Sequence, residues 1–392
     1  MKVVIAPDSF KGCLLSAEVA AAIGEGVRRA APRAEVVEVP MADGGEGTVQ
    51  ALVAATGGKL VTCTVEGPLG EPVEASFGLL GDGKTAVIEM AAASGLPLVP
   101  PQRRDPTATS TYGTGELIRA ALDLGVSEII IGIGGSATND GGCGMAQALG
   151  VRFYDAAGEL IPRVTGGRLL DIACINLDEW DLRLADVRIR VACDVDNPLF
   201  GPSGAAYVYA PQKGATPEQV EMLDRGLRHL SEIIERDLQM GVAELPGAGA
   251  AGGLGGGLVA FCGGRLEPGV EIVIDAAGLR EKMAGAALCI TGEGRIDEQT
   301  PRGKTPAGVA RVAAEAGAVV VGLAGQIDLD SSAASEVGLA AAFGIASGPM
   351  SLEQAMAPGV ARRLLAAAGE SVMRLFLAAR RSARERRPKA KS

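Results

Sequence analysis

The chain of 392 residues holds a single histidine, His229. That scarcity removes much of the usual catalytic chemistry. A Ser-His-Asp triad would have only this base, which lies in 217–239, where Val220, Leu223, Leu227, Leu230, Ile234 and Leu238 recur at three- and four-residue spacing. The spacing predicts an amphipathic helix with His229 beside its apolar stripe. Acid–base work therefore falls to carboxylates and lysine. Aromatics are also scarce, at 3%, which disfavours an aromatic-cored β sandwich. The cysteines (13, 63, 143, 174, 193, 262, 289) form no C-x-x-C pair. With one histidine they make no Cys/His zinc site, and an odd, scattered set suits a reducing cytoplasm. No apolar run nears the roughly 20 residues that cross a bilayer, and Asp8 and Lys11 come too early for a secretory h-region. Positive charge is in deficit, with a net charge of −10, which speaks against nucleic acid as a partner. The basic end, 381–392, holds Pro388 and little apolar surface, and reads as a disordered tail. The expectation is a cytoplasmic protein, monomer or homodimer, with no membrane or nucleic-acid partner.

What the chain has in quantity is glycine, at 56 residues, and apolar side chains, at 47%. The length suggests two domains, and the composition favours closely packed α/β layers. Residues 3–6 read as a strand ending in Pro7-Asp8-Ser9-Phe10-Lys11-Gly12, followed by a helix from Ser16 to about residue 31. Residues 34–39 read as a second strand, ending in Asp43-Gly44-Gly45-Glu46-Gly47-Thr48 before another helix. Both polar loops stand at the carboxyl ends of strands, where ligands bind in open α/β sheets. Residues 59–89 change character, to short alternating strands with turns at Gly67-Pro68 and Gly81-Asp82-Gly83. Parallel-sheet character returns at 288–291, 318–324 and 340–346. The expected architecture is a discontinuous α/β domain from 1–58 and 286–380, with 59–285 inserted as a second, mixed α/β domain. Five parallel strands in the first domain would make a flavodoxin-like sheet.

The most glycine-rich loop follows the strand 129–131 and runs Gly132-Ile133-Gly134-Gly135-Ser136-Ala137-Thr138-Asn139-Asp140-Gly141-Gly142. Without a Cβ, its amides can approach a ligand and form an anion-binding concavity. Gly132-x-Gly134-x-x-Ala137 also fits the dinucleotide fingerprint, which leaves an NAD-dependent dehydrogenase as an alternative. Gly303-Lys304-Thr305 lacks the upstream glycine of a P-loop, since Glu298 stands there. Residues 246–257, almost all Gly and Ala, are either a flexible linker or a backbone collar around a nucleotide.

Several strand-end loops thus carry Asp, Glu, Lys, Ser and Gly without a usable histidine. Phosphoryl transfer needs such groups: cations against phosphate oxygens, carboxylates for Mg²⁺, and a base for the attacking hydroxyl. Candidate acids are Asp8, Asp43, Glu46, Asp140, Asp194, Glu293 and Asp297; candidate cations are Lys11, Lys213, Arg295 and Lys304. A catalytically silent small-anion sensor would use the same groups.

Asp8-Ser9-Phe10-Lys11-Gly12, Ala42-Asp43-Gly44-Gly45-Glu46-Gly47-Thr48, the glycine loop through Gly142, Cys193-Asp194-Val195-Asp196-Asn197-Pro198-Leu199, Pro211-Gln212-Lys213-Gly214 and Thr291-Gly292-Glu293-Gly294-Arg295-Ile296-Asp297 together resemble the bacterial glycerate kinases of the two-domain type 1 group. The resemblance spans about 1–379. It implies ATP-dependent, Mg²⁺-assisted phosphorylation of D-glycerate, with 2-phosphoglycerate favoured over the 3-phosphate; the site is expected in the cleft between domains. On it, Asp194 is the expected base and Lys11 faces the transferred phosphate. Gly134, Gly135, Ser136, Asn139, Asp140, Gly141 and Lys213 would serve the nucleotide. Asp8, Ser9, Asp43, Glu46, Arg295 and Asp297 would serve the substrate, and Asp43 and Glu293 the metal.

Overall fold

The computed structural model describes residues 1–298, 300, 301, 303–328 and 336–385. Most of the tail expected to be disordered, 386–392, lies outside them. The strands, in chain order, are β1 (Lys2–Ile5), β2 (Glu35–Glu38), β3 (Lys59–Glu66), β4 (Pro72–Leu79), β5 (Thr85–Glu89), β6 (Glu128–Gly132), β7 (Arg152–Tyr154), β8 (Cys174–Asn176), β9 (Arg188–Ala192), β10 (Arg265–Glu267), β11 (Ala286–Ile296), β12 (Val319–Ile327) and β13 (Ala341–Gly344). They belong to two compact units. The first comprises 1–43, 50–55 and 273–392; the second comprises 44–49 and 56–272.

The first unit is built on a five-stranded sheet in the order β13-β12-β11-β1-β2. Every pairing in it is parallel. Its inner strands β1, β11 and β12 carry buried apolar runs, as strands of a parallel sheet do. Val3, Ile5, Leu288, Ile290, Val321 and Leu323 share one core with Val19, Ile23 and Val27 of helix Ser16–Ala30 and Leu365 and Met373 of helix Pro358–Glu385. The two helices touch closely at Gly26, where a Cβ would stand 1.9 Å from the Ala366 carbonyl oxygen. Helix Pro358–Glu385 continues five residues beyond the expected boundary at 380.

β11 is longer than the sequence suggests. Its pattern reads as a strand over 288–291 giving way to a loop, but pairing continues, with Glu293 opposite Ala324 and Arg295 opposite Gln326. β12 supplies the partner that single-sequence reasoning cannot see. Gly292 is required there, since a Cβ would meet the Leu323 carbonyl oxygen at 2.0 Å.

The second unit carries a six-stranded sheet in the order β10-β9-β6-β5-β4-β3. The hairpin expected over 59–89 is β3–β4, antiparallel, and β4 pairs antiparallel with β5. The pairs β5–β6, β6–β9 and β9–β10 are parallel, so the sheet is mixed. A small antiparallel ribbon, β7–β8, stands apart from it. Helix Pro217–Leu238 buries Leu223, Leu227, Leu230 and Ile234; the Nε2 of His229 meets the Ile172 carbonyl oxygen at 2.6 Å. Among the described residues, no helix is long and apolar enough to cross a membrane, and all seven cysteines are free thiols.

Candidate active site

A cavity of about 710 Å³ lies in the first unit, across the carboxyl ends of its sheet. Asp8 and Ser9 reach it from the end of β1, Asp43 from the segment after β2, and Glu293 and Arg295 from β11; Asp297, Lys11 and Lys304 complete the polar lining. All the substrate and metal candidates of this unit are thus brought to one place.

Asp8 is 5% exposed. Its Oδ2 accepts from the Thr305 hydroxyl at 2.6 Å and its Oδ1 from the Ser9 amide at 2.6 Å. Burial, then repulsion from Asp43, lifts its carboxyl to about 6 against these bonds and the pull of Lys11. Glu293 accepts from the Thr300 hydroxyl at 2.8 Å. Burial raises it to about 7, opposed by that bond and by Lys304. Lys304 Nζ stands 3.2 Å from Asp297 and 3.9 Å from Glu293. Lys11 is 64% exposed and 4.0 Å from Asp43. Arg295 pairs with Asp328, its Nε donating at 2.7 Å, and lies 3.8 Å from Asp297.

Two buried carboxylates lifted toward neutrality are what a divalent cation would return to the charged form. Among the described residues, no three His, Cys, Asp or Glu side chains converge as a preformed cage. Mg²⁺ does not need one, since it keeps waters and substrate oxygens beside one or two carboxylates. The donor set fits. Thr300 and Thr305 orient these acids, and the sequence offers only a faint signal for them, as hydroxyls flanking Lys304 near a helix start.

In the second unit the glycine loop leaves β6 and divides into two parts. Gly134 and Gly135 are exposed, whereas Ser136, Asn139, Asp140 and Gly141 are buried. Asp140 is a tie: its oxygens accept from the Thr111 amide at 2.7 Å, the Thr111 hydroxyl at 2.8 Å, and the amides of Gly142 and Gly144 at 3.2 Å each. Burial raises its pKa despite those bonds. Lys213 is 2% exposed. Its Nζ donates to the Ser136 hydroxyl at 2.7 Å and to the Thr138 carbonyl at 2.6 Å. Burial lowers it to about 7, with Asp140 opposing. Both Asn139 amide atoms and the Thr138 hydroxyl are buried without a partner.

The segment 246–257 packs on this loop. Gly141 donates to the Gly252 carbonyl at 3.0 Å, and at Gly252, whose φ is +72°, a Cβ would fall 2.0 Å from the Thr138 carbonyl oxygen. Neighbouring Ala251 holds a left-handed φ of 55°, a conformation costly for a side chain with a Cβ. The segment is a packed collar around the loop. The dinucleotide fingerprint loses its physical basis here, because it needs a helix starting on the turn. Ala137 instead donates to the Ser94 carbonyl, and helix Cys143–Ala148 starts later.

Asp194, exposed after β9, accepts from the Gly269 amide at 2.9 Å. Glu46 is exposed on the loop 44–48. That loop packs at the ends of β6 and β9, as a Cβ on Gly44 would lie 2.7 Å from that of Ala192. Glu89, absent from the candidates, holds it in place, accepting from Gly47 at 3.1 Å and Val49 at 2.9 Å.

Comparison with known proteins matches residues 3–377 to the glycerate kinase family. Glycerate kinase of Halalkalibacterium halodurans is 54% identical, over 91% of this chain and 94% of its own. Glycerate 2-kinase of Escherichia coli K12 is 52% identical, over 91% and 93%. A crystal structure from Salmonella typhimurium LT2, provisionally assigned as glycerate kinase 2, superposes with a TM-score of 0.90 at 50% identity and covers 97% of this chain and 99% of that one. On these matches, this chain belongs to the glycerate kinase family.

Proposed function

We propose that the chain is an ATP:D-glycerate phosphotransferase of the two-domain type 1 group, yielding 2-phosphoglycerate in preference to the 3-phosphate. The observation that carries this reading is the gathering of Asp8, Asp43, Glu293 and Asp297 with Lys11 and Lys304 around one cavity. In this proposal the chain has a flavodoxin-like domain of 1–58 and 286–380, built on the sheet of the first unit, with 59–285 inserted into it. The sheet order supports the first part, since renumbered within the unit it is 2-1-3-4-5.

D-Glycerate binds through its carboxylate to Arg295 and through its hydroxyls to Asp8, Ser9, Glu46 and Asp297. Asp43 and Glu293 hold Mg²⁺, which when bound offsets charge on the phosphate oxygens. Lys11, exposed beside Asp43, faces the transferred phosphoryl. Gly134 and Gly135 present backbone amides to the nucleotide, and Ser136, Asn139, Asp140, Gly141 and Lys213 hold that loop in shape. Asp194 takes the proton from the attacking hydroxyl. The protein works in the cytoplasm as a monomer or homodimer, without membrane or nucleic acid.

A coupled ADP-release assay with MgATP and D-glycerate tests the reading, with NMR of the product fixing which hydroxyl is phosphorylated. ADP release that depends on D-glycerate is expected; its absence overturns the proposal. Asp194→Asn should lower kcat by about 10² or more, and near-full turnover would remove Asp194 as base.

A further inference from the structure

The cavity is not uniform, and the strand order sets its gradient. Asp43 follows β2, Asp8 follows β1, and Glu293 lies in β11. Beyond them β12 offers Gly325 and Gln326, and the segment after β13 offers Ile345, Ala346 and Met350. Leu352 and Met356 of helix Leu352–Met356 and Leu364 of helix Pro358–Glu385 close that end. Acids thus stand over β2, β1 and β11, and the apolar groups come from the segment after β13 and the two helices. A three-carbon hydroxy acid has no use for the second half. The volume, about 710 Å³, sits within the roughly 300–1,000 Å³ range of pockets that enclose much larger ligands. Leu352 is 75% exposed and Met356 36%, an apolar rim left uncovered at the mouth of the site. Met356 also reaches back over the phosphate-facing loop, where a Cβ on Gly12 would be 3.2 Å from its methyl carbon.

Resting on the proposed phosphotransferase reading, we propose that the β12–β13 end of this cavity, beneath Leu352 and Met356, holds the purine base of the nucleoside triphosphate. β13 lies three strand spacings from β1, about 14 Å, a distance an extended nucleoside triphosphate spans from its base to its terminal phosphate. Flat apolar ring faces suit the aliphatic and thioether groups of Ile345, Met350, Leu352 and Met356. The phosphate and metal contacts stay as given above; only the base is newly placed.

Calorimetric titration with MgADP and, separately, with magnesium tripolyphosphate, which has no base, tests this without turnover. Leu352→Glu should weaken MgADP at least tenfold and leave tripolyphosphate within twofold, with KM for D-glycerate unchanged. Met356→Glu should act in the same direction, and Leu182→Glu, a change at a residue 78% exposed in the second unit, should do nothing. MgADP binding that is unaffected in both rim variants, an equal loss of both ligands, or a KM change confined to D-glycerate overturns the assignment. A wild-type protein that binds MgADP with this pattern but releases no ADP with D-glycerate leaves the base site standing and removes the substrate reading.

Discussion

Asp8 shows at residue scale how a site is held against stability. Its carboxyl rises from 3.8 to about 6 on folding, chiefly through burial. The folded state therefore binds more protons than the unfolded one across that window, and stability falls as pH rises through it. That rise corresponds to about 3 kcal/mol before screening. Asp8→Asn should accordingly be more stable than the wild type above pH 6, by about 1–2 kcal/mol in urea unfolding, and lose that advantage below pH 4. Its turnover should fall at least tenfold. A variant less stable at pH 7.5 would show that the Thr305 and Ser9 bonds outweigh burial. Lys213 has the opposite sign. Its amine drops from 10.5 to about 7, so stability rises with pH between those values. In Lys213→Met that part of the slope should vanish, changing the wild-type-minus-variant difference by about 1–2 kcal/mol between pH 7 and 9. KM for MgATP should rise as the Ser136–Thr138 segment loses its tie. A variant with an unchanged KM would make the lysine purely a packing group.

Legibility in the sequence follows the range of each interaction. The acids of the site were readable because strand-end loops advertise themselves, as Asp8 and Asp43 do after short apolar runs. Their supports were not. Thr305 meets Asp8 across 297 positions, and no local pattern encodes that pairing. Exposure was equally hidden: Asp140 and Gly134 stand in one loop, yet one is wholly enclosed and the other open. Composition alone could not exclude a flexible linker for 246–257, because a linker and a packed turn both need glycine; contact with Thr138 and Gly141 excludes it. Among helices, Gly26 carries a sharp expectation. Alanine is the better helix former by about 1 kcal/mol, but its Cβ would strike the Ala366 carbonyl. Gly26→Ala should therefore destabilise by about 1–3 kcal/mol, read by urea denaturation. A stabilised variant would mean that the two helices part at little cost.

For the whole molecule, ligand linkage supplies the readout. A ligand bound only by the native state stabilises by RT ln(1 + [L]/Kd), about 2.7 kcal/mol at a hundredfold excess over Kd. MgADP at that excess should raise Tm by several degrees, and ADP with EDTA by much less, since the carboxylates Asp43 and Glu293 would then face phosphate without a cation. Equal shifts with and without Mg²⁺ would remove the metal from nucleotide binding.

β1 is hydrogen-bonded on one side to β2 and on the other to β11, whose residues come from 286 onward. A ribosome must therefore translate past residue 286 before β1 gains its second neighbour. Until then Asp8 lacks Thr305, and half of the acidic wall does not exist. A nascent chain stalled before that point should be unable to retain nucleotide, and its waiting strand edge would be a natural hold for a chaperone.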